Sequence, residues 1–346
     1  MKTWLKILLG IIIFGLIAGG IIGAKFYTMI LSPNVELADA SSANLFIPSG
    51  AEFSDVVDSI KANKLVKDVS GFKWVADKKN YANHIYPGRY VVKNGMNNND
   101  LVNLLRSGSQ TPVQVTFSYA RLKEEVAGKL AVGIEADSID IVNLINNRSY
   151  IEDLGFTSET IISMFIPNTY NFNWSTDAKR VMERMKKEYD RFWNEDRKSK
   201  AESLGMTQQE VSTLASIVQS ETNLPQEQKR IAGVYVNRLD IGMALEADPT
   251  LVFALGDFSI RRVLDKHKAI DSPYNTYKYP GLPPGPICLP QVSYIDAVLD
   301  FEDHEYLFFC AREDFSGYSN FAKTYAQHLV NARKYHRALN DRKIFR

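Results

Sequence analysis

Only two cysteines, Cys288 and Cys310, occur in 346 residues, and they do not stand at the spacing of a metal or redox pair. The chain has no His-Glu-x-x-His pattern, no glycine-rich phosphate loop and no Gly-x-Ser-x-Gly nucleophile turn. No metal or cofactor is therefore expected. Neither sign of charge prevails: 41 Lys and Arg face 40 Asp and Glu, which argues against a dedicated nucleic-acid binder. His267, His304, His328 and His336 are scattered among charged or aromatic neighbours and read as surface or packing residues. Of these, His328 falls on a late helix expected over 319–339, where it can face a site.

What is present begins with one long apolar run. Ile7 to Ala24 carries no charged side chain and is long enough to cross the apolar part of a bilayer. Lys2 and Lys6 precede it and only Lys25 follows closely, so the positive-inside bias favours a cytoplasmic N-terminus and everything after about residue 30 outside. A cleaved signal peptide is the competing reading. The run is long for that role and no small-x-small site follows it, which favours an uncleaved anchor over 1–30. The two cysteines either pair in the oxidising compartment or remain two small buried side chains.

The length suits two domains, or one large domain with additions. Residues 31–43 read as a short polar tether. Asn44–Pro48 reads as a strand, Phe53, Val56, Val57 and Ile60 as a helix stripe, Arg89–Val92 as a second strand, and Asn97–Asn99 as the cap of a helix ending near Gly108. This is a small α+β module over 31–112. Val113–Phe117 alternates as a half-buried strand that leads out of it into a mainly helical region over 113–346 with a few strands. Leu122, Val126 and Leu130 share a helix face, as do Ile139, Leu144 and Ile145 less regularly. Residues 176–203 read as one exposed helix whose Val181, Met185, Tyr189 and Trp193 pack rather than stack on a ligand. Tyr306–Ala311 reads as a buried strand followed by a turn at Gly317.

The informative stretch is Leu214–Asn223. Thr207 and Glu210 form a capping box, and Val211, Leu214, Ala215 and Val218 make one apolar stripe. Three places on, the stripe reaches Glu221. A carboxyl group buried there has a raised pKa and can hold a proton near neutral pH, as a general acid must; the alternative is a glutamate at a fraying helix end that reaches solvent. Pro225 opens the next helix, which carries Ile231, Val234, Tyr235 and Arg238 on one face and stops by Gly242. Arg238 either joins a buried carboxylate network or snorkels to the surface. Glu246-Ala-Asp248, Ser272-Pro-Tyr274-Asn275-Thr276-Tyr277 and Gly281-Leu-Pro-Pro-Gly-Pro286 then read as a long shaped loop. Its amide, hydroxyl and aromatic groups suit a sugar, and the alternative is a rigid structural loop whose prolines only fix its path.

Several of these segments, in one order and at close spacing, give the chain its resemblance to the YceG-like endolytic murein transglycosylases, the MltG family. They are Leu214–Thr222, Val236-Asn-Arg-Leu239, Ile241-Gly-Met243, Leu245–Thr250, Ser272–Tyr277 and Gly281–Ile287. The resemblance implies a bacterial inner-membrane enzyme that cuts nascent glycan strands internally, with peptidoglycan as substrate, a LysM-like module over 31–112, and enzymes of cell-wall synthesis as candidate partners. It implies Glu221 as catalytic residue, Asn275, Thr276 and Tyr277 in a substrate-lining loop, and Arg238 and Asp248 in a supporting network; Tyr274 and Glu246 are added as candidates from their residue types and place in the loop. The chain departs from the family pattern at three places. Glu246 stands where glutamine is common, Gln219-Ser220 replaces a Glu-Lys pair, and Gly317-Tyr-Ser-Asn-Phe321 lacks the family's histidine. The first raises the question of a second carboxylate.

The implied chemistry is a single glutamate acting as acid and then base, leaving 1,6-anhydro-N-acetylmuramyl ends. Two rivals stand beside it. One is a hydrolase pairing Glu221 with Glu246 or Asp248, since ordinary glycosidases need two carboxylates at a defined separation. The other is a membrane-tethered glycan-binding scaffold without activity.

Overall fold

The computed structural model describes residues 3–260 and 262–342. Lys2, counted in the charge bias above, lies outside the described residues, as do Arg261 and the segment 343–346. The chain divides into two compact units, one running up to Gln114 together with Gly133–Ala136 and Asn171–Asp177, the other holding the rest.

The first unit starts with α1 (Thr3–Leu31), a helix uncharged between Lys6 and Lys25, long enough to cross a membrane and, over its best window, without protein cover. Its last turn enters a small core. Strands β1 (Ser42–Ile47) and β2 (Gly88–Lys93) pair antiparallel, with Ser42 opposite Lys93 and Ile47 opposite Gly88. Between them lie α2 (Phe53–Ala62) and α3 (Val69–Lys78), and α4 (Asn98–Arg106) follows. Leu45, Ile60, Phe72, Tyr90 and Leu105 close the core. Asn97 caps α4 as expected, its side chain accepting from Asp100 N at 2.8 Å. Helix α3, capped by Asp68, was not evident in the sequence.

The segment after α1 is not a tether. Val35 is buried, bridges to Val66, and Asn34 is locked by three bonds: Nδ2 donates to Asn98 Oδ1 (2.7 Å) and Asp68 O (2.9 Å), and Oδ1 accepts from Asp68 N (2.8 Å). Asn98 Nδ2 in turn donates to Met29 O at 2.8 Å, and the Phe26 ring lies 5.1 Å from Trp74. A run of polar letters had suggested solvent. The asparagines instead satisfy one another and the backbone inside the unit, as buried polar groups must.

The second unit is mainly helical. Strands β3 (Val113–Phe117) and β4 (Asn168–Phe172), of which Val115–Phe117 and Asn168–Tyr170 belong to this unit, pair with each other, and α5 (Lys123–Ala131), α6 (Ser138–Asn146) and α7 (Arg148–Asp153) lie between them in sequence. Leu122 is the exposed residue preceding α5 rather than part of its buried face, and the buried pair of α6 is Ile141 and Ile145, with Ile139 exposed. The expected helix over 176–203 is two, α8 (Ala178–Phe192) and α9 (Glu195–Ser203), because Asn194 caps α9 through a 3.0 Å bond from Arg197 N. Val181, Met185, Tyr189 and Trp193 are all buried, as a packing stripe should be.

Then come α10 (Gln208–Glu221), α11 (Pro225–Asp240), α12 (Asp248–Leu255), α13 (Asp265–Lys268) and α14 (Val292–Leu299). Residues 246–286 thus carry helical turns where one long loop was expected. Strands β5 (Phe308–Ala311) and β6 (Ser319–Ala322) form a hairpin that is half-buried rather than a core strand, and α15 (Tyr325–Asp341) starts six residues later than expected because 319–322 pairs as strand. Cys288 is buried, Cys310 is half-buried, and both are free thiols.

Candidate active site

Helix α10 is built to hold its last residue still. Thr207 and Glu210 form the reciprocal box, with Glu210 N donating to Thr207 Oγ1 at 3.2 Å and Thr207 N to Glu210 Oε2 at 2.7 Å. Val211, Leu214, Ala215 and Val218 have no solvent exposure, and Ser212, Thr213 and Ser216 on the other side are buried too. Ser216 Oγ accepts from Ile287 N at 3.0 Å, which pins the end of the Gly-Leu-Pro-Pro-Gly-Pro segment to the helix. Gln219, one of the departures from the family pattern, accepts from Gln291 N at 2.6 Å. The helix ends at Glu221 because Thr222 is extended, and Pro225 then starts α11.

Helix α11 packs back on α10 and brings Tyr235, fourteen residues on in the chain, to the carboxyl group: Tyr235 Oη donates to Glu221 Oε1 at 3.0 Å. Glu221 is half-buried at the wall of a cleft, yet densely surrounded by protein atoms. Its pKa is pushed up to about 7. Desolvation is the main cause, and the negative charge of Asp248 adds to it, while the Tyr235 hydrogen bond and the Arg238 charge pull the other way. Tyr235 itself is held well above its ordinary value by burial and by Glu221, so it remains a hydrogen-bond donor.

The other expected residues take distinct places. Arg238 does not snorkel: it is buried, donating through Nε to Leu307 O (2.7 Å) and through Nη1 to Leu245 O (2.7 Å) and Ala244 O (3.2 Å). It ties the β5 hairpin to the turn after α11, with Glu246 as a looser partner at 3.7 Å. Glu246 is exposed, has φ of +50°, and is not among the residues lining the cleft. Asp248, at the start of α12, does line it and accepts from Tyr277 Oη at 2.6 Å. Thr276 is buried; its Oγ1 accepts from Ala247 N at 3.0 Å and lies 2.8 Å from Thr250 Oγ1. Asn275 has no solvent exposure, and its Nδ2 donates to Lys268 O (2.9 Å) and Ile270 O (2.8 Å) while Oδ1 accepts from Tyr277 N (3.1 Å). Its amide shapes the loop and faces no cleft. Tyr274 packs on Phe253 at 4.8 Å and opens on a neighbouring cavity.

The cleft encloses about 570 Å³. Of the expected residues it brings together Glu221 and Asp248, and Tyr277 reaches it through Asp248. It also recruits Arg121 and Phe258, which the sequence did not single out; the Arg121 guanidinium sits 4.3 Å over the Phe258 ring. Tyr235 was also missed as a functional group, since its ring fits the apolar face of α11 and only its tip is polar. His328 is not among the residues lining the cleft; its ring lies 5.4 Å from that of Phe308, with its pKa lowered by burial and by Arg238.

A glutamate of raised pKa at the wall of an open cleft, bonded to a tyrosine and sharing the cleft with a second carboxylate, has the make-up that acid–base chemistry requires. The chain belongs to the YceG-like family, whose sequence profile matches residues 45–334. It is 29% identical over 336 residues to the endolytic murein transglycosylase of Bacillus subtilis (strain 168), covering 92% of each chain. It is 25% identical over 326 residues to the endolytic murein transglycosylase of Streptococcus pneumoniae serotype 2 (strain D39), covering 85% of this chain but only 58% of that protein. The crystal structure of a YceG-like protein from Listeria monocytogenes superimposes with a TM-score of 0.54 at 25% identity, over 84% of this chain and 98% of the other.

Proposed function

We propose that this chain is a membrane-anchored endolytic murein transglycosylase that cuts the bond from N-acetylmuramic acid to N-acetylglucosamine within nascent glycan strands. The observation that carries the reading is Glu221, placed by a fully packed helix at the wall of the cleft and bonded to Tyr235. Its elevated pKa keeps a large fraction protonated near neutral pH.

Protonated Glu221 donates to the glycosidic oxygen, the muramyl C1–O bond breaks, and the N-acetylglucosamine side leaves with that proton as a hydroxyl. The Glu221 carboxylate then takes the proton of the muramyl C6 hydroxyl, whose oxygen closes onto C1. The product end is 1,6-anhydro, and Glu221 is again protonated. Asp248, which lines the same cleft and accepts a hydrogen bond from Tyr277, supplies negative charge for the developing oxocarbenium ion.

The β-α-α-β order of the first unit supports a LysM-like glycan-binding module over 31–112, with the catalytic region over 113–346. Lys6 before the apolar run, with the rest of the chain beyond it, supports a catalytic region on the outer face of the inner membrane. Enzymes that polymerise the same strands are candidate partners.

One observation favours a second reading. Asp248 shares the cleft with Glu221, so a hydrolase using water would employ Asp248, and not Glu246, as its second carboxylate. Cleavage in ¹⁸O-water separates the two: the transglycosylase leaves anhydro ends with no solvent oxygen, and the hydrolase leaves labelled reducing ends.

A further inference from the structure

A second cavity, of about 300 Å³, lies beside the cleft, and Arg121 and Phe253 line both. Its other walls change character with position. Ile161 and Ile162 give an apolar surface, while Glu124 and Glu159 are acidic. Arg121 is half-buried, stacked over Phe258 and beside the Tyr119 hydroxyl, and among the described residues no carboxylate forms an ion pair with its guanidinium. A guanidinium held by a ring face and a hydroxyl keeps further donors for a carboxylate, with which it makes the stronger, charge-assisted bonds. Glu159 and Tyr274 both line this cavity, and the Glu159 charge adds to the burial that pushes the Tyr274 phenol up to about 12. The loop is pressed onto the same place, since a Cβ on Gly285 would overlap the Glu159 carbonyl.

We propose that this cavity binds the peptide stem borne by the muramyl sugar, with a stem carboxylate on Arg121 and the free amine of its diamino acid at Glu124 and Glu159. The inference rests on the glycan-cutting reading above. A sugar backbone carries neither charge. The stem of an uncrosslinked strand carries both, separated by short aliphatic segments that match Ile161 and Ile162. A cross-link through that amine removes the positive charge, so the acidic end selects strands not yet joined.

The full-length protein in lipid nanodiscs is given three substrates: uncrosslinked strands, the same strands stripped of stems by an amidase, and strands whose stem amines are acetylated. Charge-assisted contacts of this kind give an expected preference of about tenfold or more in kcat/KM for intact over stripped strands. Arg121→Ala should collapse that ratio toward one. Glu124→Gln with Glu159→Gln should erase the preference for free over acetylated amines. Equal cleavage of intact and stripped strands by the unaltered protein overturns the proposal, as does an Arg121→Ala variant that slows both equally. If no strand is cut, the glycan-cutting reading fails by itself. Titration of a soluble disaccharide-peptide into Glu221→Gln protein then judges the cavity: affinity lost with Arg121→Ala supports it, and unchanged affinity overturns it.

Discussion

Replacing Tyr235 by Phe isolates the contact that tunes the proposed acid. The ring is almost wholly buried and meets Phe309 edge-on at 6.0 Å, so Phe keeps the packing and removes only the hydroxyl that donates to Glu221 Oε1 at 3.0 Å. That bond favours the ionised carboxylate and opposes the desolvation that raises the Glu221 pKa to about 7. A hydrogen bond to a charged group contributes about 1.5–3 kcal/mol, and about 1.4 kcal/mol corresponds to one pKa unit. Without it, Glu221 should hold its proton to a pH higher by about one to two units. The acid acts in its protonated form, so kcat/KM falls as pH rises through this pKa, and the alkaline limb of the profile should move up by the same amount. The assay is cleavage of uncrosslinked strands by both proteins from pH 5 to 10, with circular dichroism confirming the fold. An alkaline limb that stays put or moves to lower pH refutes the assignment of Tyr235 as the partner that lowers the Glu221 pKa.

Glu221→Gln should stabilise the protein at high pH. The folded pKa of about 7 lies above the unfolded value of 4.5, so stability contributed by the protonated form is full below that value and lost as pH rises past 7. The loss is on the order of 3 kcal/mol, so the variant's Tm should exceed the parent's by several degrees at pH 8 and match it near pH 4. Arg238→Lys should destabilise by about 3 kcal/mol in urea unfolding, because one ammonium cannot span the Leu307, Leu245 and Ala244 carbonyls that the guanidinium joins. Asn275→Ala should lower Tm and kcat together, by about 2–4 kcal/mol in stability, since its amide holds the loop; a rise in KM alone with Tm unchanged would assign it to substrate instead.

Local signals carried the parts of the site that are local. The Thr207–Glu210 box, the apolar stripe, the terminating residues and the glutamate that interrupts the stripe all lie within α10, and each obeys a rule of helix capping or periodicity. Arg238 was visible as a charge on an apolar face, but not its partners, which are carbonyls about seven and about seventy residues away. Tyr235 reached Glu221 only through the packing of two helices, and Arg121 entered the cleft from a hundred residues upstream. Asn275 shows the opposite failure. Its residue type suits a sugar, while its burial commits every polar atom to the loop. The segment after α1 misled for the same reason: Asn34 and Asn98 look solvated in sequence and are paired inside the first unit. Helix α8 ends before Asn194 because that side chain caps α9, and the pattern hid the break because asparagine is also tolerated inside a helix.

The most direct test of the account is the chemistry of the cut ends. The full-length protein and its Glu221→Gln variant are incubated with uncrosslinked glycan strands, and the products are read by mass spectrometry. The account predicts internal cuts ending in 1,6-anhydro-N-acetylmuramyl groups, made by the unaltered protein and absent with the variant. Undiminished cleavage by Glu221→Gln, or ends that are hydrated and reducing, would contradict it.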